Sequence, residues 1–370
     1  MPAEREEAMR AFMKSAGWAE AKLSPLPGDA STRRYFRVAL DDRNAMLMDQ
    51  PQTAETPAAP ANATAQQRHA LGYNAVARLA GADCARFVAV ANFLRAQGLS
   101  APDIYADDPE HGFVLIEDLG DALYADVLTQ GAGERDLYAA AAEVLAKLHA
   151  ERAPAFLPTD KPLHDYDETA LLAETDLMTQ WYLPVALKRT ANEGEIAEHR
   201  GLWRDVLSRA RDSSSVFVHR DYHAQNLLWL PDRSGIARVG LIDFQDAVAG
   251  TRAYDLISLI EDARRDVAPE IAAATTKHYL ETMRAQGMGL DEERFRAEMA
   301  VMAAQRNAKI AGIFARLYKR DAKPRYLSYL PRVWGYLNRD LQHPALAPLE
   351  AWYDRTIPME ARGRAEGALQ

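Results

Sequence analysis

The sequence predicts an α+β protein: a small N-terminal part built on an antiparallel sheet, followed by a larger, mostly helical C-terminal part. Three observations carry this. Near the N-terminus, "RRYFRVAL" and "AMLMD" flank the turn-forming "DDRN", which reads as a β-hairpin. Further on, the apolar run Phe113 to Ile116 stops abruptly at Glu117 and Asp118, as a strand leaving a core does. From Tyr124 onward apolar residues recur at mostly helical spacing, and only "VFVH", "NLLWL" and "RVGLID" read as strands. A chain of 370 residues is long enough for two such parts at about 100–200 residues per domain. The break is expected after the third strand, giving parts 1–118 and 119–370.

The elements follow in order. A charged N-terminal helix ends before Pro25, Pro27 and Gly28, which break the chain ahead of the hairpin. Pro51 to Ala65 is rich in Pro, Ala and Thr and has no apolar period, so it reads as a loop. Ala70 to Arg95 has a helical period, with Phe87, Val90, Phe93 and Leu94 on one side and Gly98 as its stop. Helices are then expected over Tyr138–Ala150, Glu168–Leu187 and Ile196–Ala210, with three or four more after Tyr254.

Composition narrows the function. Apolar content of 48% and charged content of 26% are those of a water-soluble globular chain. No run approaches the roughly 18 apolar residues of a membrane span, and the charged "MPAEREEAMRAFMKSAGW" is no secretory signal, so a cytoplasmic protein without membrane attachment is expected. Cys84 is the only cysteine, which excludes an intramolecular disulfide and a cysteine-based zinc site. A net charge of -9 argues against a nucleic-acid partner, since phosphate backbones are held by clustered Lys and Arg. A small molecule is the expected partner, and nothing implies an obligate protein partner.

Three polar residues around the later strands ask for a common explanation. Asp221 follows the apolar "VFV", Asn226 precedes "LLWL", and Asp243 ends "VGLI". Pairing the last two strands through "PDRSG" puts Asn226 and Asp243 at one open end, which the loop holding Asp221 also faces. Each residue alone is a plausible turn-former or strand terminator. Together, one carboxylate to accept a hydroxyl proton, with an amide and a second carboxylate to hold Mg²⁺ against phosphates, are what phosphoryl transfer from ATP needs. His219, Arg220, Asp221 and Asn226 match the H-R-D-x-x-x-x-N catalytic loop without a gap, and Asp243-Phe244 match the start of D-F-G. His219 is expected to brace the loop rather than to react.

"VHRDYHAQNLLW" followed by "LIDFQDAVAGTRAYDL" resembles the aminoglycoside phosphotransferase and choline kinase family, the small-molecule branch of the protein-kinase-like fold. The resemblance implies a bilobal architecture and a second, loop-supporting Asp, whose place Asp255 takes. Only 12 positions separate Asp243 from Asp255, too few for the activation segment of a protein kinase. "PGDASTRRYFRV", "VLIEDLGD", "YDETALLAETDLMTQWYL" and "QRNAKIAGIFARLYKRDAKPRYLSYLPRV" extend the resemblance, over most of the chain, to the bacterial kinases that phosphorylate the C1 hydroxyl of N-acetylmuramate and N-acetylglucosamine in cell-wall recycling.

The remaining candidates divide between nucleotide and sugar. Gly28, Ser31 and Thr32 lie on a small-residue loop suited to close over phosphates. The family's phosphate-binding Lys is replaced by Met48, so Arg33 or Arg34 is expected to supply the cation, with Arg34 favoured. Adenine is expected against backbone groups near Glu117 and Leu119. For the sugar, Glu174, Trp181 and Tyr182 offer a carboxylate and aromatic faces, although the two rings are equally explained as core of an amphipathic helix. Arg306, Lys309, Arg316 and Arg320 recur near helical spacing. Such a stripe is usually a solvated face, but Arg316 is the candidate for the lactyl carboxylate of N-acetylmuramate. Two other readings stay open: a kinase for an aminoglycoside, choline or amino alcohol, and a nucleotide-binding pseudokinase.

Overall fold

The computed structural model describes residues 3–27, 32–51, 56–209 and 215–364. The chain divides into two compact units that interleave along the sequence. The first comprises Met1–Ala132, Pro154–His164 and Ala224–Val248; the second comprises Gly133–Ala153, Asp165–His223 and Ala249–Gln370.

In the first unit, five antiparallel strands, β1 (Lys22–Pro25), β2 (Arg34–Leu40), β3 (Arg43–Asp49), β4 (Ile104–Asp108) and β5 (Phe113–Ile116), form a sheet in the order β1-β2-β3-β5-β4. The hairpin closes with Leu40 opposite Arg43, so Asp41 and Asp42 alone make the turn. Asp41 has φ of 51°, the positive value that tight hairpin turns need at this place. Helix α1 (Ala3–Ser15) covers one face of the sheet: Met9, Phe12 and Met13 fall on one side of the helix and pack with Trp18, Val38, Ala45, Leu47, Phe113 and Leu115. Met46 and Met48 alternate with Leu47 and therefore point to the opposite face.

Two strands escaped the sequence reading because neither has an apolar run. Strand β1 is mostly exposed and ends in Pro25, which an edge strand tolerates; β4 alternates half-buried and exposed residues and carries two Asp. The single helical run expected over Ala70–Arg95 is also corrected. It is three helices, Ala65–Leu71, Tyr73–Val76 and α2 (Cys84–Ala96). Gly72 and Gly81 interrupt it with φ of 104° and 56°, and a Cβ on Gly81 would stand 2.9 Å from the Thr56 carbonyl oxygen. Asp83 then restarts the helix by accepting the Arg86 N–H at 3.3 Å.

The second unit is helical: α3 (Glu134–His149), α4 (Glu168–Leu177), α5 (Glu193–Arg209), α6 (Ala253–Ile260), α7 (Pro269–Ala285), α8 (Glu292–Asp321), α9 (Leu330–Leu341) and α10 (Ala347–Thr356). The expected helix Glu168–Leu187 runs on from α4 through a π turn, Met178–Tyr182, and a last turn, Leu183–Leu187. It stops at Lys188 in the left-handed region, φ 53°. The 30-residue α8 is the spine: it is buried through most of Val301–Leu317 and packs on α4, α6 and α9. Its close approach to α4 depends on Gly312, where a Cβ would lie 2.5 Å from the Cβ of Leu177. Strand Val216–Val218 is wholly buried and leads into the loop His219–His223. The α+β class, with an N-terminal antiparallel sheet and a mostly helical remainder, is the one the sequence predicted.

Candidate active site

In the second unit the loop after Val216–Val218 is held by one carboxylate. Asp255, in the first turn of α6 and fully buried, accepts the backbone N–H of His219 at 2.6 Å and of Arg220 at 2.8 Å. Arg220 has φ of 80°, a strained value for a residue with a side chain, and it lets two successive N–H groups face the same acceptor. Burial pushes the Asp255 carboxyl up to about 7; the two N–H bonds pull it down and the nearby charge of Asp221 pushes it up again. His219 is buried, and its Nδ1 accepts the Asp221 N–H at 3.3 Å, while the His223 N–H reaches the Asp221 carbonyl at 3.2 Å.

The Arg220 side chain is fixed from below. Its guanidinium pairs with the Glu174 carboxylate and lies 4.7 Å above the Tyr166 ring. Glu174 also receives the Tyr166 hydroxyl, Gln305 Nε2 at 2.9 Å and Lys309 Nζ at 3.5 Å, and Lys309 donates to the Tyr254 hydroxyl at 2.7 Å. Burial alone would raise the Glu174 carboxyl, but Lys309 and Arg220 hold it below its ordinary value. With one oxygen taken by Arg220 and Lys309 and the other by Tyr166 and Gln305, this carboxylate braces the loop and has no oxygen left for a sugar. The candidate sugar ligand Glu174 is corrected accordingly. Arg306 and Lys309 are likewise enclosed rather than on a solvated stripe, Arg306 donating to the Glu261 carbonyl at 3.1 Å. Tyr182 is core: its hydroxyl donates to the Ala361 carbonyl at 2.8 Å and its ring leans on Trp334. Trp181 and Arg316 are half-buried, on the π turn and on α8. Of the four residues expected around the sugar, Glu174 and Tyr182 are thus committed to the protein's own groups.

In the first unit, strands Leu227–Trp229 and Val239–Leu241 pair with Leu227 opposite Leu241, so Asn226 and Asp243 flank the same end. The Ile242 N–H donates to the Asn226 carbonyl at 3.2 Å, and Asn226 Nδ2 stands 3.5 Å from Asp243 Oδ2. Asp243 has φ of 62°, a second strained residue at the end of a strand. Its Oδ1 receives Gln245 Nε2 and the Arg33 guanidinium, each at 3.1 Å. One carboxylate and one amide oxygen are hard donors that suit Mg²⁺, which keeps water and phosphate oxygens in its other positions.

The nucleotide candidates are placed unevenly. Gly28 and Ser31 lie outside the described residues, and Thr32 accepts Gln50 Nε2 at 3.2 Å. Met48 is 1% exposed, with the Tyr35 hydroxyl 3.5 Å from its sulfur. Arg34 is turned to the buried Asp49, which Arg5 also holds, whereas Arg33 reaches Asp243. The Glu117 N–H donates to the Asp103 carbonyl at 2.8 Å and its carboxylate meets Arg233 at 2.5 Å; Leu119 is half-buried against Gly240. One positioning residue went unnoticed in the sequence. Arg86 on α2, 5% exposed, donates to the carbonyls of Pro162, Gln245 and Ala247 at 3.1, 3.0 and 2.7 Å, fixing the segment that follows Asp243. A cation next to the apolar run Phe87–Ala91 was its signal in the sequence.

Comparison with known proteins gives the arrangement a context. Over 365 residues the chain is 44% identical to the N-acetylmuramate/N-acetylglucosamine kinase of Caulobacter vibrioides, covering 98% of this chain and 99% of that protein. The kinase of the same name from Pseudomonas aeruginosa is 34% identical over 340 residues, 90% of this chain and 89% of that one. Among solved structures, the choline kinase LicA from Streptococcus pneumoniae superposes with a TM-score of 0.56 at 12% identity, covering 93% of this chain and 99% of that one. The ADP-bound aminoglycoside phosphotransferase APH(2'')-Ib gives 0.54 at 16%, covering 95% and 98%. At such identities these two speak for the fold. The model of the phosphotransferase enzyme family matches residues 22–290, a span that takes in the five-stranded sheet, the strained loop and the Asn226–Asp243 end of the hairpin, and the chain belongs to that family.

Proposed function

We propose that this chain transfers the γ-phosphoryl group of ATP to the anomeric C1 hydroxyl of N-acetylmuramate or N-acetylglucosamine. The observation that carries the reading is the 44% identity, over nearly the whole length, to a kinase named for these two sugars. The family match supports phosphoryl transfer in general, and the relative's name supports the acceptor.

In this reading the sugar hydroxyl gives its proton to the Asp221 carboxylate as its oxygen bonds to the γ-phosphorus. The bond from that phosphorus to the β–γ bridging oxygen breaks, and ADP leaves. Asn226 and Asp243 would hold Mg²⁺, whose charge offsets that of the phosphates. The Asp255 clamp supports the role given to Asp221, because a base must be held within a fraction of an ångström of the hydroxyl it serves. Arg33 is the better candidate for the missing Lys, since the Arg34 guanidinium is already committed to Asp49. Backbone groups near Glu117 and Leu119 would receive adenine.

The test is ADP release by the purified protein with Mg²⁺ and ATP over a panel of acceptors, with the product phosphate located by phosphorus NMR. A C1 phosphate on either amino sugar is the expected product. Turnover of choline or an aminoglycoside with neither sugar accepted would overturn the reading.

A further inference from the structure

We infer that Asp262 and Arg264, at the end of α6 opposite the Asp255 clamp, form the acceptor-recognition pair of the second unit, with Arg264 reading a carboxylate on the sugar. This deepens the proposed function and rests on it.

His223 lies two residues after Asp221. Its ring is 6% exposed and feels the charges of Asp262, Arg264, Asp221 and Arg306. Burial holds the imidazole below its ordinary value, so the neutral ring offers a nitrogen to a donor, and Arg264 Nη1 stands 3.3 Å from His223 Nε2. Among the described residues that neutral ring is the only hydrogen-bonding partner of the Arg264 side chain, and no carboxylate of theirs pairs with it. The neighbouring cations are all engaged: Arg265 with Glu134, Arg332 with Asp266, Lys309 and Arg220 with Glu174, and Arg306 with a backbone carbonyl. Arg264 is only half-buried, so of the two described cations that act on His223, Arg264 and the enclosed Arg306, it is the one with a path to solvent.

Asp262 presents the complementary need. It is 1% exposed; Oδ1 accepts the Arg264 N–H at 2.8 Å, and Oδ2 is buried with no hydrogen-bond partner among the described residues. A buried carboxylate oxygen without a donor is costly and is rarely kept unless something supplies one. A sugar hydroxyl or acetamido N–H is such a donor. N-acetylmuramate offers both a donor and a carboxylate, whereas N-acetylglucosamine offers the donor alone. The pair therefore divides the work: Asp262 serves both sugars, and Arg264 favours the one bearing the acid.

The measurement is KM for each sugar in the wild type and in Arg264→Gln. The expected result is a rise of about tenfold in the ratio of KM for N-acetylmuramate to KM for N-acetylglucosamine. Arg264→Lys, which keeps the charge, should restore most of the wild-type ratio, and it also carries the test if the glutamine variant does not fold: a lysine ratio moved tenfold or more overturns the carboxylate contact. An unchanged ratio in a folded Arg264→Gln protein overturns the inference and leaves the proposed function standing. Absence of turnover with both sugars in the wild type overturns both.

Discussion

Asp255 accepts two consecutive backbone N–H groups from a position with no access to water, and its carboxyl is pushed up to about 7 by that burial. A free Asp titrates near 4. Below pH about 4 it is protonated in both folded and unfolded chains and carries no penalty; between about 4 and 7 the unfolded chain ionises while the folded one resists, so the folded state loses stability as pH rises through that window. Asp255→Asn removes this dependence. The difference in Tm, wild type minus variant, is expected to shrink from pH 4 to 7, and a flat difference would contradict the burial argument. The same variant leaves one N–H facing an amide NH₂, and kcat should fall about a hundredfold. At this scale much of the candidate site was legible: Asp221, Asn226 and Asp243 stand out by residue type and spacing, and Asp255 by the family resemblance. Glu174 was misread because its residue type is equally suited to a sugar and to a buried cation. Only the arrival of Arg220 and Lys309 from distant segments selects the second.

At the scale of elements, α8 carries the second unit, and Gly312 sets how near α4 can come. Gly312→Ala puts a Cβ 2.5 Å from the Cβ and backbone of Leu177, so the two helices must shift apart to take it. A loss of about 1–3 kcal/mol in denaturant-induced unfolding is expected; a change within experimental error would mean that the helices part without cost. The hairpins and most long helices were readable from apolar period and turn residues. Strands β1 and β4 were not, because an edge strand needs only one half-buried face and leaves a weak pattern. The run Ala70–Arg95 misled for the opposite reason. Its apolar spacing is helical, but Gly72 and Gly81 turn the backbone where the spacing alone would continue it.

For the molecule as a whole, the compact units do not follow the order of the chain. The first unit takes Pro154–His164 and Ala224–Val248 from far along the sequence. The hairpin in that second piece is bonded into the N-terminal residues, Trp229 N–H to Ala122 at 2.8 Å and Leu241 N–H to Ser100 at 2.9 Å, and Arg86 donates to Gln245 and Ala247. A fragment of residues 1–132 would take from those carbonyls and from the Arg86 guanidinium the hydrogen bonds made to the later segments, so it is expected to lack a cooperative unfolding transition by circular dichroism. A sharp transition in that fragment would show that the sheet is independent of the later segments. By itself the sequence determined the α+β class, the order of most elements and the catalytic-loop pattern, because these depend on local period and on residue types a few positions apart. Tertiary structure alone decided that Glu174 braces Arg220, that Arg33 and not Arg34 meets Asp243, and that Asp262 keeps an oxygen unpaired among the described residues. The physical reason is that burial and pairing of a charge depend on neighbours tens to hundreds of residues away, which no local pattern encodes.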